Sequence, residues 1–292
     1  MAAPVPEGPQ RFIDRHGRTT AVMLGLTRRP LGDLYHLFLK ASWGNVIGGA
    51  AVAYFAINAL FAFAYMATGG VENVRKGSFA DSFFFSIETF STVGYGHFSP
   101  LSTGANLIVS VESFVALLAT AMITGLMFAK FARPTARVLW SRVAVIAPQD
   151  GVLSLMFRMA NERGNQVVEA RLRLMILRDE VTAEGQKIRR QRDLKLVRSE
   201  SVVFVLSWTA VHPLGKESPL YGLTKEQMKE QKIEIVASLT GLDETFSQTI
   251  HSRHSWTADD VVFGARFLDI FGELPDGRRS IDYTHFHDTN PL

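Results

Sequence analysis

Cysteine is absent from this chain of 292 residues. That excludes disulfide staples, thiolate nucleophiles and cysteine-ligated metals. A strong charge bias is missing too. The formal net charge is only +3, which argues against a nucleic-acid partner. No G-x-G-x-x-G opens a strand–helix unit, so a nucleotide-binding regulatory domain is not expected. Nothing in the pattern resembles a nucleophile with its base and orienter, and neither an enzyme activity nor a cofactor is expected. His251 with His254, and His285 with His287, have no cysteine or carboxylate to complete a metal site and read as surface or core histidines. No segment repeats arginine in the manner of a voltage sensor. The opening stretch, MAAPVPEGPQRFIDRHGR, has no apolar core and does not read as a signal peptide.

Long apolar runs are what the chain does have, although its mean hydropathy is only +0.10. Trp43 to Ala67 carries no charge over about 25 residues, enough to span a bilayer. Trp43 and Tyr65 sit near its ends as interfacial anchors, and Gly44, Gly48, Gly49 and Ala53 give small-residue spacing for close helix packing. A second run extends from about Leu101 to Ala132, with Glu112 its only charge before Lys130. Before the first run, Leu31, Leu34, Tyr35, Leu37, Phe38 and Ala41 fall on one helical face, as in a short helix lying in the membrane interface. Arg28, Arg29 and Lys40 precede the first span, and Lys130, Arg133, Arg137 and Arg142 follow the second. This positive charge marks that side as cytoplasmic, with both termini on it. Residues 1–27, rich in Pro, Gly and Arg, read as a flexible cytoplasmic tail.

Between the spans, Ser78 is placed to cap a short apolar helix over Phe79–Phe90. It is too short to cross a bilayer and reads as re-entrant, its C-terminal end aiming partial negative charge at a central cavity. Thr92-Val93-Gly94-Tyr95-Gly96 follows. The same pentapeptide forms the filter of potassium channels, where backbone carbonyls replace the water shell of K+. On that likeness K+ is held at Thr92, Val93, Gly94 and Tyr95. Gly94 and Gly96 reach positive φ at little cost, which turns neighbouring carbonyls the same way. One copy makes one wall of a pore, so a homotetramer is expected.

Glu88 and Glu112 are ionisable groups at membrane depth and therefore functional candidates. Glu88 is expected to brace the filter from behind. Glu112 either does the same or adds negative potential near the cavity, and the alternative for both is a protonated, merely hydrogen-bonded acid. Ala116, Thr120, Thr124 and Phe128 recur at every fourth residue of the second run. They read as cavity lining that ends in a ring of Phe128 side chains able to gate by dewetting; the alternative is packing against the first span. Arg28, Arg29, Lys130, Arg133 and Arg137 are candidates for anionic lipid headgroups, or serve orientation alone.

After Pro134 the pattern alternates. Leu153, Leu155, Phe157 and Met159, then Val168, Ala170, Leu172, Leu174 and Ile176, mark half-buried strands. Further strands fit Val202–Leu206, Ile233–Thr240, His251–Trp256 and Val261–Phe271. A turn at Pro275–Arg278 precedes a last short strand, and a helix capped by Thr224 fits up to Gln231. Many short strands predict a β-sandwich.

The layout from Arg28 to His287 resembles the bacterial inward-rectifier potassium channels, the KirBac family. The likeness is carried by the interfacial-helix segment and by Ser86-Ile87-Glu88-Thr89 before the filter. Ala129-Lys130-Phe131-Ala132-Arg133-Pro134, Ser207-Trp208-Thr209 with His212-Pro213, and Ser218-Pro219-Leu220-Tyr221-Gly222 add to it. The resemblance implies a membrane α plus all-β fold in three parts. These are the tail of residues 1–27, a slide helix and two-span pore over 28–137, and a cytoplasmic immunoglobulin-like β-sandwich over 138–292. It implies a tetrameric, passive K+ channel of the inner (plasma) membrane, with Phe128 at the helix-bundle crossing and sensitivity to anionic phospholipid or phosphoinositide. Thr245, Phe246, Ser247, Gln248 and Thr249 align with the family's cytoplasmic pore loop by resemblance alone. Two departures stand out. His97 and Phe98 replace the arginine that eukaryotic relatives carry after the filter, leaving Glu88 without that partner. Thr120 stands where strong rectifiers carry an acid, so weak rectification is expected. A non-rectifying ligand-gated K+ channel and a non-conducting membrane receptor remain the alternatives.

Overall fold

The computed structural model describes Arg11, Asp14, Thr20, Gly25 and residues 33–292. Arg28, Arg29 and Leu31 lie outside the described residues. The chain divides into two compact units, Gly25–Arg133 and Pro134–Leu292, the latter joined by the described part of the N-terminal segment.

The first unit is helical. A short helix α1 (Leu34–Lys40) leads into α2 (Trp43–Thr68), whose N-terminus is capped by Ser42, its hydroxyl accepting from the Asn45 amide at 3.3 Å. Helix α2 stops at Gly69, whose φ of 67° ends the helical path. A short strand β1 (Val71–Glu72) precedes α3 (Phe79–Phe90), capped by Ser78 as the sequence predicts. Strand β2 (Ser99–Pro100) pairs antiparallel with β1 and feeds α4 (Thr103–Phe131), capped by Ser102. Gly70 holds this corner. Its carbonyl accepts from the amides of Leu101 and Ser102, and a Cβ on it would collide with the Ser102 side chain. Helices α2 and α4 have mean hydropathies of 1.9 and 2.0 and are long enough to cross a membrane. Most of their apolar surface faces outward from the single chain.

The second unit is a β-sandwich of immunoglobulin-like layout. Its strands are β3 (Val138–Trp140), β4 (Ala144–Gln149), β5 (Val152–Asn161), β6 (Val167–Val181), β7 (Lys187–Leu194), β8 (Glu200–Phe204), β9 (Ser207–Pro213), β10 (Glu234–Asp243), β11 (Gln248–Thr257) and β12 (Val261–Phe263). One sheet runs β11-β10-β6-β7 with β8 also on β6. The other runs β12-β4-β5-β3 with β9 also on β5. Alternation in β6 buries Ala170, Leu172, Leu174 and Ile176 against Leu155, Phe157 and Met159 of the other sheet, and Trp256 of β11 joins the same core. Helix α5 (Lys225–Glu230) starts at a capping box in which Thr224 and Gln227 satisfy each other's amides.

Two expectations are corrected. Val261–Phe271 is not one strand. Gly264, at φ 65°, breaks it into β12, which lies parallel to β4, and β13 (Ala265–Phe267), while β14 (Phe271–Glu273) pairs with β15 (Arg279–Ile281) and β16 (Thr289–Pro291) pairs with β13. The tail is also not free at Arg11. Its guanidinium reaches the Ser255 carbonyl at 3.0 Å and the buried Asp260 carboxylate at 2.6 Å. A near-buried acid holds an arginine because desolvation makes an unpaired charge costly.

Candidate functional site

The site begins where α3 ends. Backbone amides beyond the helix bond back onto it: Thr92 to the Thr89 carbonyl at 3.1 Å, and Val93 and Gly94 to the Glu88 carbonyl at 3.0 and 3.4 Å. Thr92, Gly94 and Gly96 have φ of 56°, 55° and 78°, while Val93 and Tyr95 between them do not enter the positive region. Positive and negative φ therefore alternate from Thr92 to Gly96. Among the described residues none donates a hydrogen bond to the carbonyls of Thr92, Val93, Gly94 or Tyr95. The sequence points to the glycines here; positive φ at Thr92, costing about 1–2 kcal/mol, is added by the structure. Tyr95 is 78% exposed in the single chain. Beyond Gly96, Asn73 Nδ2 donates to the His97 carbonyl at 2.7 Å and Ser99 donates to Glu72, fixing the loop that follows.

Behind α3 lies a buried polar group that draws on three helices. Glu112 of α4 is fully buried and accepts from the Tyr65 hydroxyl of α2, while its other oxygen meets the Ser86 hydroxyl of α3. Ser86 also meets Asn58 Oδ1 at 3.0 Å, and Asn58 Nδ2 donates to the Tyr54 carbonyl at 2.8 Å. Sequence reasoning singles out Glu112, names Ser86 only within the motif that carries the family resemblance, and passes over Asn58, whose one signal is polarity inside an apolar segment; Tyr65, read as an interfacial anchor, is instead buried with its hydroxyl on Glu112. The Glu88 side chain is half-buried and has no hydrogen-bond or ionic partner among the described residues.

On α4 the expected stripe divides. Thr120, Thr124 and Phe128 are exposed in the single chain, Phe128 at 75%, but Ala116 is only 2% exposed. At 100° per residue a four-residue repeat drifts, so Ala116 is turned about 120° from Phe128. Ala116 therefore shares the packed face of Glu112 and is removed from the cavity-lining set. Lys130 is a second correction. It is 9% exposed, and its ammonium donates to the carbonyls of Phe38, Leu39 and Ala41 at 3.2, 3.2 and 2.6 Å, at the C-terminal end of α1. An ammonium has three donors, so none is left for a headgroup. The Nζ also stands 5.3 Å from the Trp43 ring centre. Arg133 donates to the Leu39 carbonyl at 2.8 Å and stays exposed. Arg137, in the second unit, is exposed.

In the β domain, Thr245, Phe246 and Ser247 form the tip between β10 and β11, and Gln248 and Thr249 open β11. The Thr245 amide bonds to Asp243, and Ser247 takes a φ of 51°. His212 is buried, its ring bridging the Lys195 carbonyl and the Ser218 hydroxyl. Burial pushes it below its ordinary pKa. Among the described residues no group of His, Asp or Glu is arranged to hold a metal.

Residues 49–133 match a family model described as an ion channel, and residues 138–292 match the inward rectifier potassium channel C-terminal domain. The chain is 42% identical, over 97% of both lengths, to the inward rectifier potassium channel Kirbac3.1 of Paramagnetospirillum magnetotacticum. It is 28% identical to ATP-sensitive inward rectifier potassium channel 12 of Gallus gallus, covering 96% of this chain and 71% of that one. It is 29% identical to G protein-activated inward rectifier potassium channel 1 of Homo sapiens, covering 96% of this chain and 61% of that one. These relatives are channels rather than enzymes.

Proposed function

This chain belongs to the inward rectifier potassium channel family, and from that premise we propose that it conducts K+ passively through a filter built by four copies of Thr92–Gly96. The observation that carries this reading is the run of alternating φ that leaves the carbonyls of Thr92, Val93, Gly94 and Tyr95 without a donor. Such carbonyls can replace the hydration shell of K+. Residues 28–137 are assigned to conduction and 138–292 to regulation, with the membrane taken as the inner (plasma) membrane and both termini as cytoplasmic. Glu112 and Glu88 support the filter. Thr120 and Thr124 line the cavity, and the exposed Phe128 rings close it at the cytoplasmic end by excluding water. Anionic lipid, either a phospholipid or a phosphoinositide, acts through Arg133, Arg28 and Arg29, and Arg137 is a separate candidate on the other unit. The Thr245–Thr249 loop borders the cytoplasmic pore. Thr120 presents no carboxylate to a polyamine, so rectification is weak; strong spermine block of the unaltered channel would refute this.

The test is flux from purified protein in liposomes. K+ passes in preference to Na+, and Ba2+, of similar radius and doubled charge, blocks. Equal Na+ and K+ permeability would sink the filter assignment. No flux under any lipid composition would favour the non-conducting receptor, and flux that appears only with a ligand on the β domain would favour the ligand-gated channel.

A further inference from the structure

The three contacts of the buried group behind α3 need one hydrogen more than its hydroxyls supply. Three oxygen–oxygen contacts link it: Tyr65 to Glu112, Glu112 to Ser86, and Ser86 to Asn58. Each contact needs one hydrogen between its oxygens. The hydroxyls of Tyr65 and Ser86 bring one apiece. Asn58 cannot bring the third, because its amide nitrogen is committed to the Tyr54 carbonyl at 2.8 Å and its oxygen faces Ser86.

We propose that Glu112 is a neutral carboxylic acid that donates its own hydrogen to Ser86, making Ser86 and Asn58 positioning residues for the filter. The chain of donors then runs one way. The Tyr65 hydroxyl donates to one oxygen of Glu112, the acid O–H donates to Ser86 Oγ, and Ser86 donates to Asn58 Oδ1. Every polar atom named is satisfied. With an ionised carboxylate one oxygen pair would face each other with no hydrogen between them, at a fully buried site where an unmade bond is costly. No cation among the described residues bonds to Glu112 to compensate a charge. The geometry explains why these helices meet here. Asn58 and Tyr65 belong to α2, Ser86 to α3 and Glu112 to α4. Ser86 lies two residues before Glu88, whose carbonyl holds the Val93 and Gly94 amides. Fixing Ser86 therefore fixes the rotation of α3 and, through it, the start of the filter.

The proposal rests on the reading of Glu112 as filter support, and the experiment separates the two. The full-length channel and Glu112→Gln are reconstituted and compared by infrared difference spectroscopy at neutral pH. The expected result is a C=O stretch of a protonated carboxylic acid in the unaltered protein that is lost in Glu112→Gln. Ser86→Ala should keep that band but move it to higher frequency, because the acid loses its acceptor. Loss of carboxylate bands alone in Glu112→Gln would overturn the proposal. In flux assays Glu112→Gln, whose amide N–H replaces the acid O–H, should lower K+ over Na+ preference less than Glu112→Ala does, which should lower it about tenfold. An acid band together with unchanged preference in Glu112→Ala would leave the proton in place and overturn the filter-support reading.

Discussion

Phe128 is an apolar ring left 75% exposed by its own chain, at the end of a helix whose other face is packed. If four such rings close the pore, truncation must open it. Phe128→Ala should raise basal K+ flux, and Phe128→Asp should do so by keeping water in place, neither changing K+ over Na+ preference. Met127→Ala, about 100° away around the helix, should give no such gain; equal gains from both would move the constriction elsewhere. His212 makes a separate prediction. Burial holds it neutral below its ordinary value of 6.5, so the unfolded chain binds its proton at higher pH than the folded one. Its stabilising contribution is complete above about pH 6.5 and fades as pH falls below that value. Tryptophan-fluorescence melts of the full chain between about pH 7.5 and 5.5 should show a falling midpoint. Part of that fall should be lost in His212→Gln, and an unchanged slope would exclude His212 as its source. At this scale the sequence was legible where geometry is local, as in the positive φ of Gly94 and Gly96, and misleading where it depends on rotation. Ala116 read as cavity lining because a four-residue repeat imitates a straight stripe.

The start of α3 was legible because Ser78 caps it, whereas α2 and α4 were read from their uncharged apolar runs, and the caps at Ser42 and Ser102 are added by the structure. The division of Val261–Phe271 was not legible, since a single glycine reads as part of a strand until its φ is known. What lay furthest from reach was the acceptor side of contacts. Lys130 looked like a free headgroup ligand because the carbonyls of Phe38, Leu39 and Ala41 are invisible in side-chain chemistry. Those bonds tie α1 to α4 two residues beyond Phe128. Lys130→Met keeps the apolar stem and removes every donor, at a cost of about 2–3 kcal/mol to that junction. The native chain has no cysteine, so Tyr35→Cys gives a unique site for a spin label on an exposed face of α1. The label should become more mobile in the Lys130→Met background. An unchanged line shape would mean that α1 is held by other contacts.

At the scale of the molecule, composition and alternation were enough to separate a membrane unit from a β-sandwich. The sandwich holds together through its own core around Trp256 and Phe157, both fully buried. The helical unit has no such closure: α2 and α4 leave apolar flanks outward, and Thr92–Gly96 stand exposed in the single chain. If four copies of Thr92–Gly96 line one pore, as proposed, that exposure has a hereditary consequence. On that proposal a chain altered within Thr92–Gly96 but with intact helices would still assemble and would spoil every complex it enters. With equal doses of normal and damaged subunits mixing at random, only about one complex in sixteen is wholly normal. Alleles altered within Thr92–Gly96 should therefore act as dominant, whereas alleles that prevent folding of the helical unit should be recessive.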